Sequence, residues 1–385
     1  MNNKPRILIT CLSGKLFGGG EMHALTLYKM LRAAGYHTTM LVNAHTALHK
    51  RLITEGLPCY SVRLRWLQRN FRSIFCFLIA RKIRTICTQE KIDIIHCNAH
   101  EEVRSAAQAA LGTSIGIIFT RHIPDRFNVA KIKGAHASIG VTPNITTYIE
   151  QENIKNNVGM NTVLHIPPFF DSERLDRFVP TTPREDFFSI NFGVTIKPLP
   201  LFCVIGNMVP DLQHKSHPLL FKALTHLINV FGQHAQVVLA GDGPMRPTFE
   251  RMVKEQGLAD YVYFLGATDK IPGILYHSDF LVLPSIKEAF GLVYAEAGMM
   301  RRAAIGAYQT GAEIVLRNEH TGLLFKNGDA HDLACAIKRL IDNPTWTQQM
   351  GNQAHEHIMK NFVPRITFEQ HELLYAQLAQ RQQPL

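Results

Sequence analysis

The sequence predicts an α/β protein built as two halves in tandem, each around a parallel sheet. Three observations carry this: a length of 385 residues, long for one core; short apolar runs alternating with helical spacing; and a proline-rich, mixed-charge stretch over residues 166–200. Strands that alternate with helices need right-handed crossovers, so neighbouring strands run parallel.

The first half opens with a strand at residues 6–11, a glycine-rich loop at 17–21 and a helix from about 21 to 34. Strands follow at 38–42, 92–96, 116–120 and 137–141. The second half repeats the rhythm at 201–205, 236–240, 261–265, 280–283 and 303–306. Apolar spacing over 365–379 predicts a closing helix. The expected domains are residues 1–175, a linker at 176–198, residues 199–364, and a C-terminal helix over 365–385 packing back toward the N-terminal domain.

Hydrophobic content of 46% and charged content of 19% exclude a disordered chain. No run of about 18 uncharged apolar residues appears and residues 1–10 lack a secretory core, so a cytoplasmic protein is expected. Cys11, Cys59, Cys76, Cys87, Cys97, Cys203 and Cys335 are odd in number, scattered and without C-x-x-C. They read as reduced apolar side chains, neither disulfides nor zinc ligands. The net charge of +10 calls for an anionic partner. Arg63, Arg65, Arg69, Arg72, Arg81, Lys82 and Arg84 lie in a stretch without an acidic residue, interleaved with Trp66, Phe71, Phe75, Phe77 and Leu78. That pattern fits a basic amphipathic helix on an anionic membrane, and equally a crossover helix with solvated arginines. No nucleic-acid motif accompanies the charge, so no nucleic-acid partner is expected.

Residues 284–298 are the most informative stretch. They set Glu288 and Glu296 around a glycine-containing turn that follows a buried strand. Free N–H groups of Phe290, Gly291 and Leu292 at a new helix start favour a diphosphate, and Gly291 lets the backbone approach it. The two carboxylates accept hydrogen bonds from sugar and ribose hydroxyls. The plain alternative is acids favoured near a helix start by the dipole alone. Arg121 and His122 follow a strand, at the carboxyl edge where ligands bind in parallel sheets. His96 and His100 lack a third metal ligand and read as cleft-lining or solvated. Gly18, Gly19 and Gly20 allow backbone conformations closed to other residues, in a loop before a helix start. They do not fit G-x-G-x-x-G, and no acidic residue stands where a dinucleotide ribose needs one, which argues against a nicotinamide dehydrogenase.

Several strings together resemble the retaining glycosyltransferase family 4 (glycosyl transferases group 1), most strongly over residues 205–325. They are P-S-x-x-E-x-F-G-x-x-x-x-E-A from Pro284, the turn from Gly206 ending in Lys215-Ser-His217, Gly241-Asp-Gly243-Pro, Phe264-Leu-Gly266, the blocks at 310–315 and 321–324, and the Gly18–Glu21 loop. The resemblance implies the GT-B fold: two Rossmann-like domains facing across a cleft, the first binding acceptor and the second nucleotide sugar. It places Glu288 on the donor sugar, Glu296 on the ribose, Lys215 on the diphosphate, His122 near the sugar, and Gly18, Gly19, Gly20, Asn207, Gly241, Gly243, Phe290, Gly291 and Leu292 around the donor.

The implied activity is retaining, metal-independent hexosyl transfer from a nucleotide-diphosphate sugar to a glycan or lipid-linked acceptor, with Lys215, His122 and Glu288 as the catalytic set. It implies no cofactor, and a place in bacterial cell-envelope polysaccharide or lipopolysaccharide synthesis at the inner face of the plasma membrane. The chain departs from the family at Asn207, where an Arg is common, and at Arg301, where a Gly is common; Arg121, Arg301 and Arg302 are candidates to restore the charge. Two alternatives stay open: a donor-binding partner subunit without catalysis, and a sugar-nucleotide epimerase or hydrolase on the same fold.

Overall fold

The computed structural model describes residues 4–12, 18–63, 72–123, 129–210 and 215–381. The chain divides into two units, Met1–Phe170 with Pro364–Leu385, and Asp171–Val363.

The first unit holds seven parallel strands in the order β3-β2-β1-β4-β5-β6-β7. They are β1 (Ile7–Cys11), β2 (Thr38–Asn43), β3 (Tyr60–Val62), β4 (Ile94–Cys97), β5 (Gly116–Arg121), β6 (Ala137–Gly140) and β7 (Thr162–His165). β1, β4, β5 and β6 are buried along their whole length, which is why they read as unbroken apolar runs and not as alternating ones. The order reverses between β1 and β4, and crevices for ligands form at the carboxyl ends of such strands. The second unit repeats the plan with β8 (Leu201–Ile205), β9 (Gln236–Ala240), β10 (Val262–Gly266), β11 (Phe280–Val282), β12 (Ala303–Ala307) and β13 (Gly322–Phe325). Its order is β10-β9-β8-β11-β12-β13, so the reversal falls between β8 and β11.

Residues 176–198, expected as a linker, contain the helix Arg184–Phe192, which Gly193 ends at φ 65°. Phe187 and Phe188 are buried, the Phe187 ring lying 4.7 Å from His277, and Arg184 pairs with Asp279. The prolines that suggested a linker flank this helix, and the segment belongs to the second unit. The closing helix, Pro364–Arg381, belongs to the first unit: Phe368, Leu374, Tyr375 and Leu378 join its core.

The basic stretch is not one helix. Arg63 follows β3 and its Nη2 lies 2.9 Å from His45 Nε2; Arg65 and Arg69 lie outside the described residues; Arg72 starts the helix Arg72–Glu90. That helix buries Ile79, Ala80, Ile83, Ile86 and Cys87. Arg84 donates to the carbonyls of Ala109 and Leu111, each at 2.9 Å, capping the helix His100–Ala110, and Lys82 lies 5.5 Å over the Tyr60 ring. Phe77, Leu78 and Arg81 remain exposed. None of the seven cysteines is in a disulfide among the described residues. Among the described residues no helix is long and apolar enough to cross a membrane.

Candidate functional site

In the second unit, the chain leaves β11 into a turn that ends at Gly291, where φ is 79°. A Cβ there would lie 2.5 Å from the Tyr294 ring and 3.2 Å from Glu288 Cγ, so only glycine can start the helix Leu292–Met299 at this point. Phe290 is buried against Phe362, with ring centroids 5.5 Å apart. Within the turn, Glu288 Oε2 accepts from Lys215 Nζ at 2.7 Å and from Ser285 Oγ at 3.4 Å, and Oε1 accepts the Ala289 N–H at 3.2 Å. The side chains of Lys215 and Glu288 are 23% and 11% exposed, which leaves both reachable while screening the pair little.

Lys215 is set by backbone close approach. Its stem lies over Gly206, where a Cβ would stand 3.1 Å from Cδ. Gly241 and Gly243 back onto the same turn: added Cβ atoms would come 2.1 Å from the Gly206 oxygen and 2.3 Å from the Met208 oxygen. The Met208 N–H donates to Asp242 O at 2.9 Å and the Met245 N–H to Met208 O at 3.0 Å, locking the two turns together. Ser216, next to Lys215, sits at φ 30°, a left-handed conformation that costs a residue with a Cβ about 1–2 kcal/mol. Ser216→Gly is therefore expected to raise stability by about 1 kcal/mol, read as a higher urea midpoint at unchanged slope.

Glu296 lies on the same helix, half-buried. Burial pushes its carboxyl up to about 7, opposed by the charges of Arg174 and Lys215 and reinforced by Asp171. Arg174 belongs to the helix Ser172–Asp176, capped by Asp171, whose Oδ1 accepts the Arg174 N–H at 3.3 Å. Neither residue stands out in the sequence, because a five-residue helix leaves no periodic signal. Asn207 follows β8, half-buried. Arg301, at φ 56°, and Arg302 follow the C-terminal end of the helix Leu292–Met299. Arg302 donates to the Tyr276 carbonyl and lies 5.4 Å over that ring. Arg121 belongs to the first unit, with Nη1 3.3 Å from His100 Nδ1. Arg302 is thus engaged by Tyr276.

In the first unit, residues 13–17 lie outside the described residues. Gly18 caps the helix Gly19–Ala33 with φ −134°, and Gly19 and Gly20 are its first residues. None of the three has a positive φ, contrary to the expectation of a backbone closed to other residues. A Cβ on Gly20 would touch the His122 ring at 3.6 Å, and Glu21 Oε2 accepts the Gly18 N–H at 3.0 Å. His122 follows β5; its Nε2 lies 3.2 Å from Asn98 Oδ1 and its ring 4.7 Å from that of His23. Burial first, then the charges of Arg121 and His371, pushes its pKa down to about 3, so the ring is neutral near pH 7.

His96 corrects the expectation of a cleft-lining or solvated residue. It is fully buried between the Tyr375 hydroxyl at 2.7 Å and Thr120 Oγ1 at 2.6 Å, and it ties the closing helix to β4 and β5. His100 pairs with Glu101 at 3.0 Å. Sequence reasoning also passed over Asn98 and Glu102, which hold the strand ends beside His122; the available signal was two acids opening a helix directly after a strand.

Two family profiles match the chain: Glycosyltransferase Family 4 over residues 17–151 and Glycosyl transferases group 1 over residues 200–343, together well over half of it. N-acetyl-alpha-D-glucosaminyl L-malate synthase of Bacillus anthracis is 25% identical over 97% of both chains. A glycosyltransferase from Rickettsia africae ESF-5 superposes with a TM-score of 0.80 at 19% identity, covering 98% of this chain and 99% of the other. Anabaena HepE in complex with UDP-glucose gives 0.79 at 20% identity, covering 97% and 100%. The two doubly wound sheets, the turn that binds Lys215 to Glu288 and these matches agree: the chain belongs to glycosyltransferase family 4 and is a transferase of the GT-B fold.

Proposed function

We propose that the protein moves a hexosyl group from a nucleoside-diphosphate donor, with retention of configuration and without a metal, onto a glycan or lipid-linked acceptor of the bacterial cell envelope. The observation that carries this reading is the 2.7 Å contact of Lys215 with Glu288 beside a helix start, at the carboxyl ends of β8 and β11. A cation and helix amides meet the charge that grows on the departing diphosphate. In that reaction the bond from the anomeric carbon to the phosphate oxygen breaks and its electrons stay with the phosphate. The acceptor hydroxyl attacks on the same face and passes its proton to the phosphate oxygen. No covalent nucleophile is required.

Glu296 adds a pH dependence. A ribose hydroxyl donates best to an ionised carboxylate, and with the carboxyl held at about 7 the ionised fraction falls about tenfold from pH 8 to pH 6. Donor affinity is expected to weaken by about that factor over this range, with Glu296→Gln removing the slope; calorimetric titration reads both.

Exposed Phe77 and Leu78, at 55% and 57%, stand one turn from exposed Arg81 on the helix Arg72–Glu90 and favour a lipid-linked acceptor at an anionic membrane reached from the cytoplasm. The test is transfer from UDP- and GDP-hexoses to envelope lipid extract, to soluble glycan and to a small hydroxy acid such as malate. A product whose anomeric configuration by NMR matches the donor, formed in excess EDTA, supports the reading. Inversion, or activity abolished by EDTA and restored by a divalent ion, overturns it. Binding without transfer to any acceptor would favour the partner-subunit alternative.

A further inference from the structure

The orientation of the Asn98 amide follows from its partners. Its Nδ2 lies 3.1 Å from the carbonyl oxygen of Thr10, which can only accept, so the amide oxygen faces the other way, 3.2 Å from Nε2 of His122. That oxygen also can only accept, and Nε2 must therefore carry hydrogen. A neutral imidazole has one N–H, which leaves Nδ1 with a lone pair, and no described residue donates to it.

The support of Asn98 is rigid. It is 8% exposed, and its N–H is shared between Thr10 O at 3.2 Å and Glu102 Oε2 at 3.0 Å. Glu102, itself 3% exposed, accepts further from the Thr10 hydroxyl at 2.6 Å and the Leu12 N–H at 2.6 Å. One carboxylate thus fastens the ends of β1 and β4 and holds the amide at a fixed angle to the ring.

We propose that Asn98, held by Glu102, is a positioning residue that fixes His122 as the tautomer with hydrogen on Nε2 and leaves Nδ1 to accept from a substrate hydroxyl at the carboxyl edge of this sheet. This rests on the transferase reading above. It makes His122 an acceptor of a hydrogen bond and not a general acid.

The direct test needs no substrate. In protein labelled with 15N-histidine, with His122 assigned by the signals lost in His122→Gln, the ring is expected near pH 7 as neutral with a protonated Nε2 and a bare Nδ1. Hydrogen on Nδ1, or an imidazolium, overturns the proposal and leaves the transfer reaction untouched. Asn98→Asp is expected to place a carboxylate on Nε2 and raise the pH at which the ring protonates; an unchanged titration counts against the contact.

Kinetics give the second arm. Asn98→Ala is expected to lower kcat/KM by about ten- to a hundredfold through misplacement of the ring, with the double substitution Asn98→Ala, His122→Ala no worse than His122→Ala alone. Losses that multiply would show that Asn98 acts on something other than His122. If the spectra are as expected but no sugar is transferred to any acceptor, the functional reading fails and the tautomer stands.

Discussion

Lys215→Ala is expected to lower kcat by about a hundred- to a thousandfold, the loss that follows removal of one group aimed at charge growing in a transition state. The second consequence is structural. Glu288 is 11% exposed at the side chain and, among the described residues, would keep Ser285 and a backbone N–H as partners, at a cost of about 1–3 kcal/mol. Turnover under saturating donor separates the two, because a purely structural lysine would lower the urea midpoint and leave kcat near wild type. Lys215→Ala with Glu288→Ala completes a cycle in which the contact at 2.7 Å should appear as strong coupling. Unchanged kcat in Lys215→Ala would remove the lysine from the leaving-group site.

Gly311→Ala is expected to destabilise the protein by about 3 kcal/mol and to weaken donor binding by about tenfold or more. A methyl group there would stand 1.9 Å from the Ala289 oxygen and 2.6 Å from the Phe290 nitrogen, and the Gly311 N–H holds the Glu288 carbonyl at 2.9 Å. The turn must move, and it carries both Glu288 and the start of the helix Leu292–Met299. Gly328→Ala is the control for backbone strain without a clash: φ is 80° there against −61° at Gly311, and nothing lies within 4 Å of the added methyl, so a backbone cost of about 1–2 kcal/mol is expected with no displacement of the turn. Equal effects of the two substitutions on donor affinity would show that Gly311 does not shape the site.

The strands were legible because parallel strands buried on both faces are written as unbroken apolar runs, as in β1, β8 and β9. The helix at Arg184–Phe192 was not, since the surrounding prolines resemble a linker and its burial depends on His277 and Gly273, more than 80 positions away. His96 shows the same limit: a histidine after a strand looks like a ligand-facing residue until Tyr375, 279 positions on, closes over it.

Taken alone, the sequence determined the fold class, the tandem division, the turn that holds Glu288 and the helix that carries Glu296, because local spacing and small-residue turns are properties of neighbouring residues. Only the tertiary structure decided which of these residues meet. The pairing of Lys215 with Glu288, the backbone contact of Gly241 with Gly206, the place of the closing helix in the first unit and the contact of Asn98 with His122 all join separate elements of the chain. Such contacts arise from strand order and close packing, and no local pattern of residues encodes them.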